Sequence, residues 1–139
     1  MATTAIAAYG VTLKIGSTAI AEVTKIDFGG IKLDTVEVTN MASTGGWREY
    51  IATLLDGGDV TFDINYVPTA ATHKYAAAGL LYILANTKAL TTFSLVWSDS
   101  GLTTWGFTAF VVTFKPGAAV DGKLQASVTL KISGQPTLV

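Results

Sequence analysis

Leu124, Ala126, Val128, Leu130 and Ile132 alternate without interruption with Lys123, Gln125, Ser127, Thr129 and Lys131. No helix can use that spacing, because residues two apart on a helix point to nearly opposite sides. A strand with one buried and one wetted face uses it fully. The same period recurs at Val60, Phe62, Ile64 and Tyr66, at Phe93, Leu95 and Trp97, and at Val11, Leu13 and Ile15. A chain that repeats this pattern must bury sheet faces against one another or against a helix.

The punctuation between these runs fits a largely antiparallel order. Gly16-Ser17 turns the first strand into a second over residues 20–28, predicting a hairpin. Gly29-Gly30 breaks that strand, and a short one follows over residues 35–39. The run WGFTAFVVTF at 105–114 is apolar at every parity, which predicts a strand covered on both faces and ended by Lys115-Pro116-Gly117. One helix is expected after Pro68, capped by Thr69 or Thr72, with Ala76, Leu80, Ile83 and Leu84 on one face and Asn86 as its stop. About seven strands and one helix make the fold class α+β, dominated by antiparallel sheet.

Two segments stand outside this scheme. Residues 1–8 carry no period and read as a flexible arm. Residues 40–58 read as a long mobile loop, within which Trp47, Ile51, Leu54 and Leu55 fit a helical stripe too short to stand alone. Trp, Tyr and Arg gathered in such a segment are the composition of an interface anchor. The candidate contacts are Met41, Thr44, Trp47, Arg48, Tyr50, Ile51, Leu54 and Leu55. Trp97 and Trp105, on alternating strands, are expected to pack within the sheets.

Composition narrows the function. The 139 residues suit one domain, and 14% charged residues against about 25% in ordinary domains leave too few charges to coat a normal surface. A net charge of −1 argues against gripping nucleic acid or anionic membrane. The longest apolar run, residues 76–85, falls short of the roughly 20 needed to span a bilayer, and no signal peptide opens the chain. With no Cys and one His, His73, thiol catalysis and Cys/His zinc sites are excluded. Asp56-Gly57-Gly58-Asp59 with Asp63 lacks calcium-loop spacing and reads as a turn, and Glu37 and Glu49 have no catalytic partner in sequence. No catalytic, cofactor or metal site is expected, and the chain is not read as an enzyme.

The segment LDTVEVTNMASTGGWREYIATLLDGGDVTFDINY, at 33–66, resembles the most characteristic stretch of the tail tube proteins of long, non-contractile-tailed bacteriophages. The likeness continues through Pro68 and His73 leading into a helix, the Trp105-Gly106-Phe107 strand, and the closing PGAAVDGKLQASVTLKISGQPTL at 116–138. It implies a single tail tube domain: a β-sandwich or barrel with one flanking helix and no C-terminal immunoglobulin-like decoration domain. It implies hexameric rings stacked into a hollow tube that conducts DNA from capsid to host without binding it specifically. Expected partners are other copies of the chain, the tape-measure protein, and the tail tip and terminator proteins, with no membrane. The place of action is the virion tail, after synthesis and assembly in the host bacterial cytoplasm. Two other readings stand beside it. One is a tube protein of a secretion system or phage-tail-like bacteriocin, separable by a contractile sheath. The other is a monomeric carbohydrate-binding β-sandwich, separable by the absence of filaments.

Overall fold

A computed structural model of the chain describes residues 3–72, 80–118 and 120–138. Its strands are β1 (Thr12–Ile15), β2 (Thr18–Ala19), β3 (Val23–Phe28), β4 (Lys32–Glu37), β5 (Tyr50–Asp56), β6 (Asp59–Asn65), β7 (Thr91–Val96), β8 (Thr104–Gly117), β9 (Gln125–Ile132) and β10 (Thr137–Leu138), with one helix, α1 (Leu80–Thr87). Eight strands form one antiparallel sheet in the order β2-β1-β7-β8-β9-β6-β3, with β10 added to β8. Strands β4 and β5 pair only with each other.

The alternating runs place the core. Val60, Phe62 and Ile64 of β6 lie opposite Leu130, Val128 and Ala126 of β9, and all six are buried. Phe93 and Leu95 of β7, Leu13 and Ile15 of β1, and Phe107, Ala109 and Val111 of β8 complete the same face. Leu81 of α1, fully buried, packs into this cluster, and Leu84 and Ala85 lie against it. The sheet curls so that β3, at one end, meets the β7–β8 end. Phe28 lies 5.3 Å from Trp105 and 6.4 Å from Trp97, ring centre to ring centre, and 5.8 Å edge-on to Phe107. Trp105 therefore packs against the core as expected, whereas Trp97, one residue past β7, stays exposed, and Phe28 is the aromatic that lies against both.

Bulges adjust the register where strict alternation would turn a core residue outward. On β8, Val111 faces Leu130 and Phe114 faces Val128, so one extra residue sits between Val111 and Thr113. The insertion brings Phe114 to the inner side, edge-on to Tyr66 at 6.2 Å. On β3 a second insertion, between Val23 and Lys25, lets Val23, Ile26 and Phe28 all reach the core.

Several expectations change. The sheet does not close into a barrel: among the described residues no ladder joins β3 to β1 or β2, and an open cleft of ≈ 610 Å³ between β3 and the chain leading into β1 marks the gap. The hairpin expected across Gly16-Ser17 is only two pairs long. The second strand splits, because Glu22 adopts φ 58° and sends β3 to the far side of the sheet beside β6. Strand β8 runs through Pro116 rather than ending before it, since β7 reaches only to Ala109 and leaves that flank of β8 open. The missing N–H there breaks no ladder. The same stretch is not covered on both faces, because Phe110 and Val112 are exposed while Val111 is buried. The helix runs one residue past Asn86, to Thr87, and Lys88 at φ 58° ends it. Its expected first turns, with Ala76 and His73, lie outside the described residues. Thr72 is buried, and its Oγ1 accepts from the Ala21 N–H at 3.4 Å. Residues 3–8 form no strand or helix, and the Ser98 hydroxyl donates to the Ala7 carbonyl at 2.5 Å.

Candidate assembly surface

Residues 40–58 are not a loop with a helical turn. Tyr50 to Asp56 are β5, laid against β4, and only Thr44–Gly46 make a short 3-10 turn. The apparent helical stripe has a physical cause. A bulge lies opposite the Leu33-to-Thr35 stretch of β4 and adds a residue to β5, so apolar positions fall three and four apart on a strand.

The ribbon continues the sheet. Phe28 faces Val60 and Lys32 faces Asp56, four residues further along each strand, so the register crosses from β3–β6 to β4–β5 with no residue gained or lost. Strands β3 to β6 are thus one long hairpin bent at Gly29-Gly30 and Gly57-Gly58. Glycine is required at the bend. Gly58 sits at φ +81°, and a Cβ there would come within 2.3 Å of the Gly30 carbonyl oxygen. A Cβ on Gly57 would meet Ile132 Cγ2 at 2.6 Å.

Lys131, on the outer side of β9, joins both ends of this turn. Its Nζ lies 3.4 Å from Asp56 Oδ2 and 3.3 Å from Asp59 Oδ1. The Gly58 N–H donates to Asp56 Oδ1 at 2.9 Å, and this bond, with Lys131 second, holds the Asp56 carboxyl below its ordinary value. The hydrogen bond to Asp59 leads in raising the Lys131 ammonium above its own. The Asp-Gly-Gly-Asp motif, expected to turn the chain, instead bends it between two strands that run on in one register, and the cation between its carboxylates is a lysine.

Beyond the bend the ribbon exposes apolar side chains on both faces. Val36 lies opposite Ile51, and Leu33 opposite Leu55. Directly opposed residues share a face and β4 alternates regularly, so the two pairs point to opposite sides. All four are exposed, Leu55 at 71%, as are Leu54 at 75% and Trp47 at 78%. Charged groups share both faces, Lys32 that of Val36 and Glu37 that of Leu33, so neither side of the ribbon is a purely polar, solvated one. Its tip is held by polar contacts alone: Ala42 N–H to Asn40 Oδ1 at 2.8 Å, Asn40 N–H to Ser43 Oγ at 3.0 Å, and Glu49 N–H to Thr39 Oγ1 at 2.9 Å. Arg48 lies 3.8 Å from Glu37.

A family model described as phage tail tube, TTP, lambda-like, matches residues 5–104, which contain the whole hairpin. The chain belongs to the lambda-like phage tail tube family.

Solved structures agree on the fold. A chain in the virion of a native gene transfer agent particle is similar at 15% identity and a TM-score of 0.78, over 97% of this chain and 99% of that one. A chain of the sheath/tube terminator of an extracellular contractile injection system, in its extended state, matches at 13% and 0.76, over 100% and 99%. A chain in the tail of an empty gene transfer agent particle, refined helically with C6 symmetry, matches at 16% and 0.67, over 93% of each. No curated protein matches the sequence. The architecture of this tail tube protein is accordingly a mostly antiparallel sheet with little helix, and its role is that of a structural tube subunit.

The hairpin gathers all eight candidate contact residues of the tail tube protein. Met41, Thr44, Trp47 and Arg48 form its tip, and Tyr50, Ile51, Leu54 and Leu55 lie on β5, every one exposed. Sequence reasoning expected a strand at 35–39 but not its pairing with β5, nor that Ile31, Leu33, Val36 and Val38 would also be exposed. The alternation of Val36 and Val38 with Glu37 and Thr39 signalled a strand there. It did not signal that the strand would leave the core.

Proposed function

We propose that this tail tube protein closes into six-membered rings that stack into the hollow conduit of a phage tail. The ribbon of β4 and β5 inserts between subunits of adjoining rings, through Met41, Thr44, Trp47, Arg48, Tyr50, Ile51, Leu54 and Leu55. One observation carries this reading: a two-stranded ribbon that exposes apolar side chains on both faces, Leu33 and Leu55 on one and Val36 and Ile51 on the other, pairs with no strand of the main sheet. An isolated ribbon of two strands is marginal in water. It therefore moves in the free subunit and orders when neighbours cover it, and the entropy lost on ordering, about 1–2 kcal/mol per residue, favours growth from a formed tip over spontaneous assembly. Free margins of the sheet, such as the stretch of β8 beyond Ala109, suit subunit pairing within a ring. The chain catalyses nothing in this role. DNA and the tape-measure protein occupy the bore, terminator and tip proteins close the ends, and assembly takes place in the host cytoplasm.

The test replaces residues 32–56 by a two-residue turn. The expected product is a folded monomer, by circular dichroism and sedimentation, that forms no tubes under the electron microscope at concentrations where the full chain does. Normal tubes from the shortened chain would refute the role of the ribbon. A second reading, a tube protein of a contractile machine, has the likeness to the contractile injection system chain in its favour. It requires a sheath protein that binds the outside of the tube, and the lambda-like family match favours a tail without one.

A further inference from the structure

The bend at the root of the hairpin has two components of different kinds. Gly58 lets the backbones approach more closely than a side chain permits, Gly57 sits against the Ile132 side chain and Gly30 holds φ +88°, while the Gly29 N–H donates to the Asp59 carbonyl at 2.6 Å and the Ile132 N–H to the Gly58 carbonyl at 3.1 Å. These fix where the chain bends. The direction in which the ribbon leaves the sheet is a separate quantity, because residues 30–31 make no ladder pair with 57–58. Across that gap one side chain ties the last residue of β5 to the first residue of β6: Lys131, between Asp56 and Asp59. All three side chains are about half exposed. Exposed pairs of this kind contribute little to folding stability, so a stabilising role does not account for the three-residue arrangement.

We infer that Lys131 is a positioning residue, which sets the angle at which the ribbon is presented to the next ring by clamping both sides of the glycine bend. The inference rests on the tube reading only for its consequence. The angle itself is a property of the single chain. Bending freely at the glycines, the ribbon would sample many directions and meet its docking surface in few of them, lowering the effective affinity by the fraction of time spent misaligned. With the clamp in place the ribbon is aimed before contact.

The native sequence holds no cysteine, so spin labels at Ala42→Cys and Thr92→Cys report one distance, from ribbon tip to sheet, by pulsed electron resonance on dilute monomer. The unaltered clamp should give a narrow distribution. Lys131→Met should broaden it at least twofold with the melting temperature unchanged within a few degrees, and Lys131→Arg should restore it. Asp59→Asn, which leaves β9 intact, should broaden it too and serves if Lys131→Met fails to fold. In assembly, the broadened variants should need at least threefold more protein to form tubes, or give tubes of altered twist between rings. Distributions for Lys131→Met and Asp59→Asn that superimpose on the native one would overturn the inference, whatever the tubes do. If the native chain forms no tubes while the distributions differ as stated, the tube reading fails and the clamp stands.

Discussion

Strands β5 and β6 are consecutive, separated by two glycines, and built from the same kinds of residue. Val60 and Phe62, on β6, are 0% and 1% exposed, whereas Leu54 and Leu55, on β5, are 75% and 71% exposed. Nothing in the chemistry of a leucine or a valine distinguishes the two sides of the bend. The difference lies in what each strand finds beside it. Strand β6 has β3 on one edge and β9 on the other and sends Val60, Phe62 and Ile64 into the common core; β5 has only β4. The lesson is that apolar content specifies burial without specifying by whom. In this tail tube protein part of the burial completes the subunit, and the remainder, on the proposed assembly, is left for its neighbours.

That contrast can be broken most forcefully by truncating one side chain on each side of the bend. Phe62→Ala should lower monomer stability by about 3–5 kcal/mol in urea unfolding, since Phe62 is fully buried against Val128 and Ile26. Leu55→Ala should change it by less than about 0.5 kcal/mol while abolishing or slowing tube formation seen by sedimentation. If Leu55→Ala also unfolds the monomer, the ribbon is packed within the subunit and the contrast is lost. A smaller effect is expected at the bend: Gly58→Ala, with φ +81° and no room for a Cβ, should cost about 1–3 kcal/mol. Trp47→Ala should leave monomer unfolding unaltered and raise the protein concentration needed for tubes about tenfold or more, as for an interface anchor. Equal tube formation by this variant would remove Trp47 from the interface.

The smallest expected effect is on pH. Asp56 at the bend and Asp99, which accepts from the Thr103 hydroxyl and N–H beside the sheet, both titrate below their ordinary 3.8. A lowered folded value means the stabilisation is present above the unfolded value and is lost as pH falls through the folded one. Lys131 is raised above 10.5, so its share is present below that and is lost as pH rises through the folded value. The charges around Asp56 are Lys131, Lys32 and Asp59. Monomer stability should therefore be flat from about pH 5 to 9 and fall beyond each end. Asp99→Asn should reduce the acid fall seen in the unfolding of the sheet. Asp56→Asn should remove its own part of that fall and in addition alter ribbon mobility, read by hydrogen exchange at residues 50–56.

The sheet was legible where local pattern and final environment coincide. The alternation in β6 and β9 places six buried residues correctly because both strands are interior and one-faced. The ribbon was not, because its pattern is apolar at both parities and carries a bulge, which imitates a helical period between Trp47 and Leu55. The pairing of β3 with β6 joins residues 41 apart at Val23 and Ile64, beyond anything a turn motif announces. The candidate contacts were found by composition, from the company of Trp47, Arg48 and Tyr50. Their shared platform, and the β4 residues beside them, needed the register. Pro116 misled for a simple reason: a proline ends a strand only when the flank it faces has a neighbour.

The route by which the ribbon joins the sheet has a mechanical side. Strand β5 leads straight into β6, an inner strand with a seven-pair ladder to β9 and a five-pair ladder to β3. A tug on the hairpin from a neighbouring molecule along β6 loads both ladders together, in shear, where a hairpin rooted on an outer strand would be peeled open one rung at a time. In the proposed tube, tensile strength would thereby be vested in the best-gripped strand of each link.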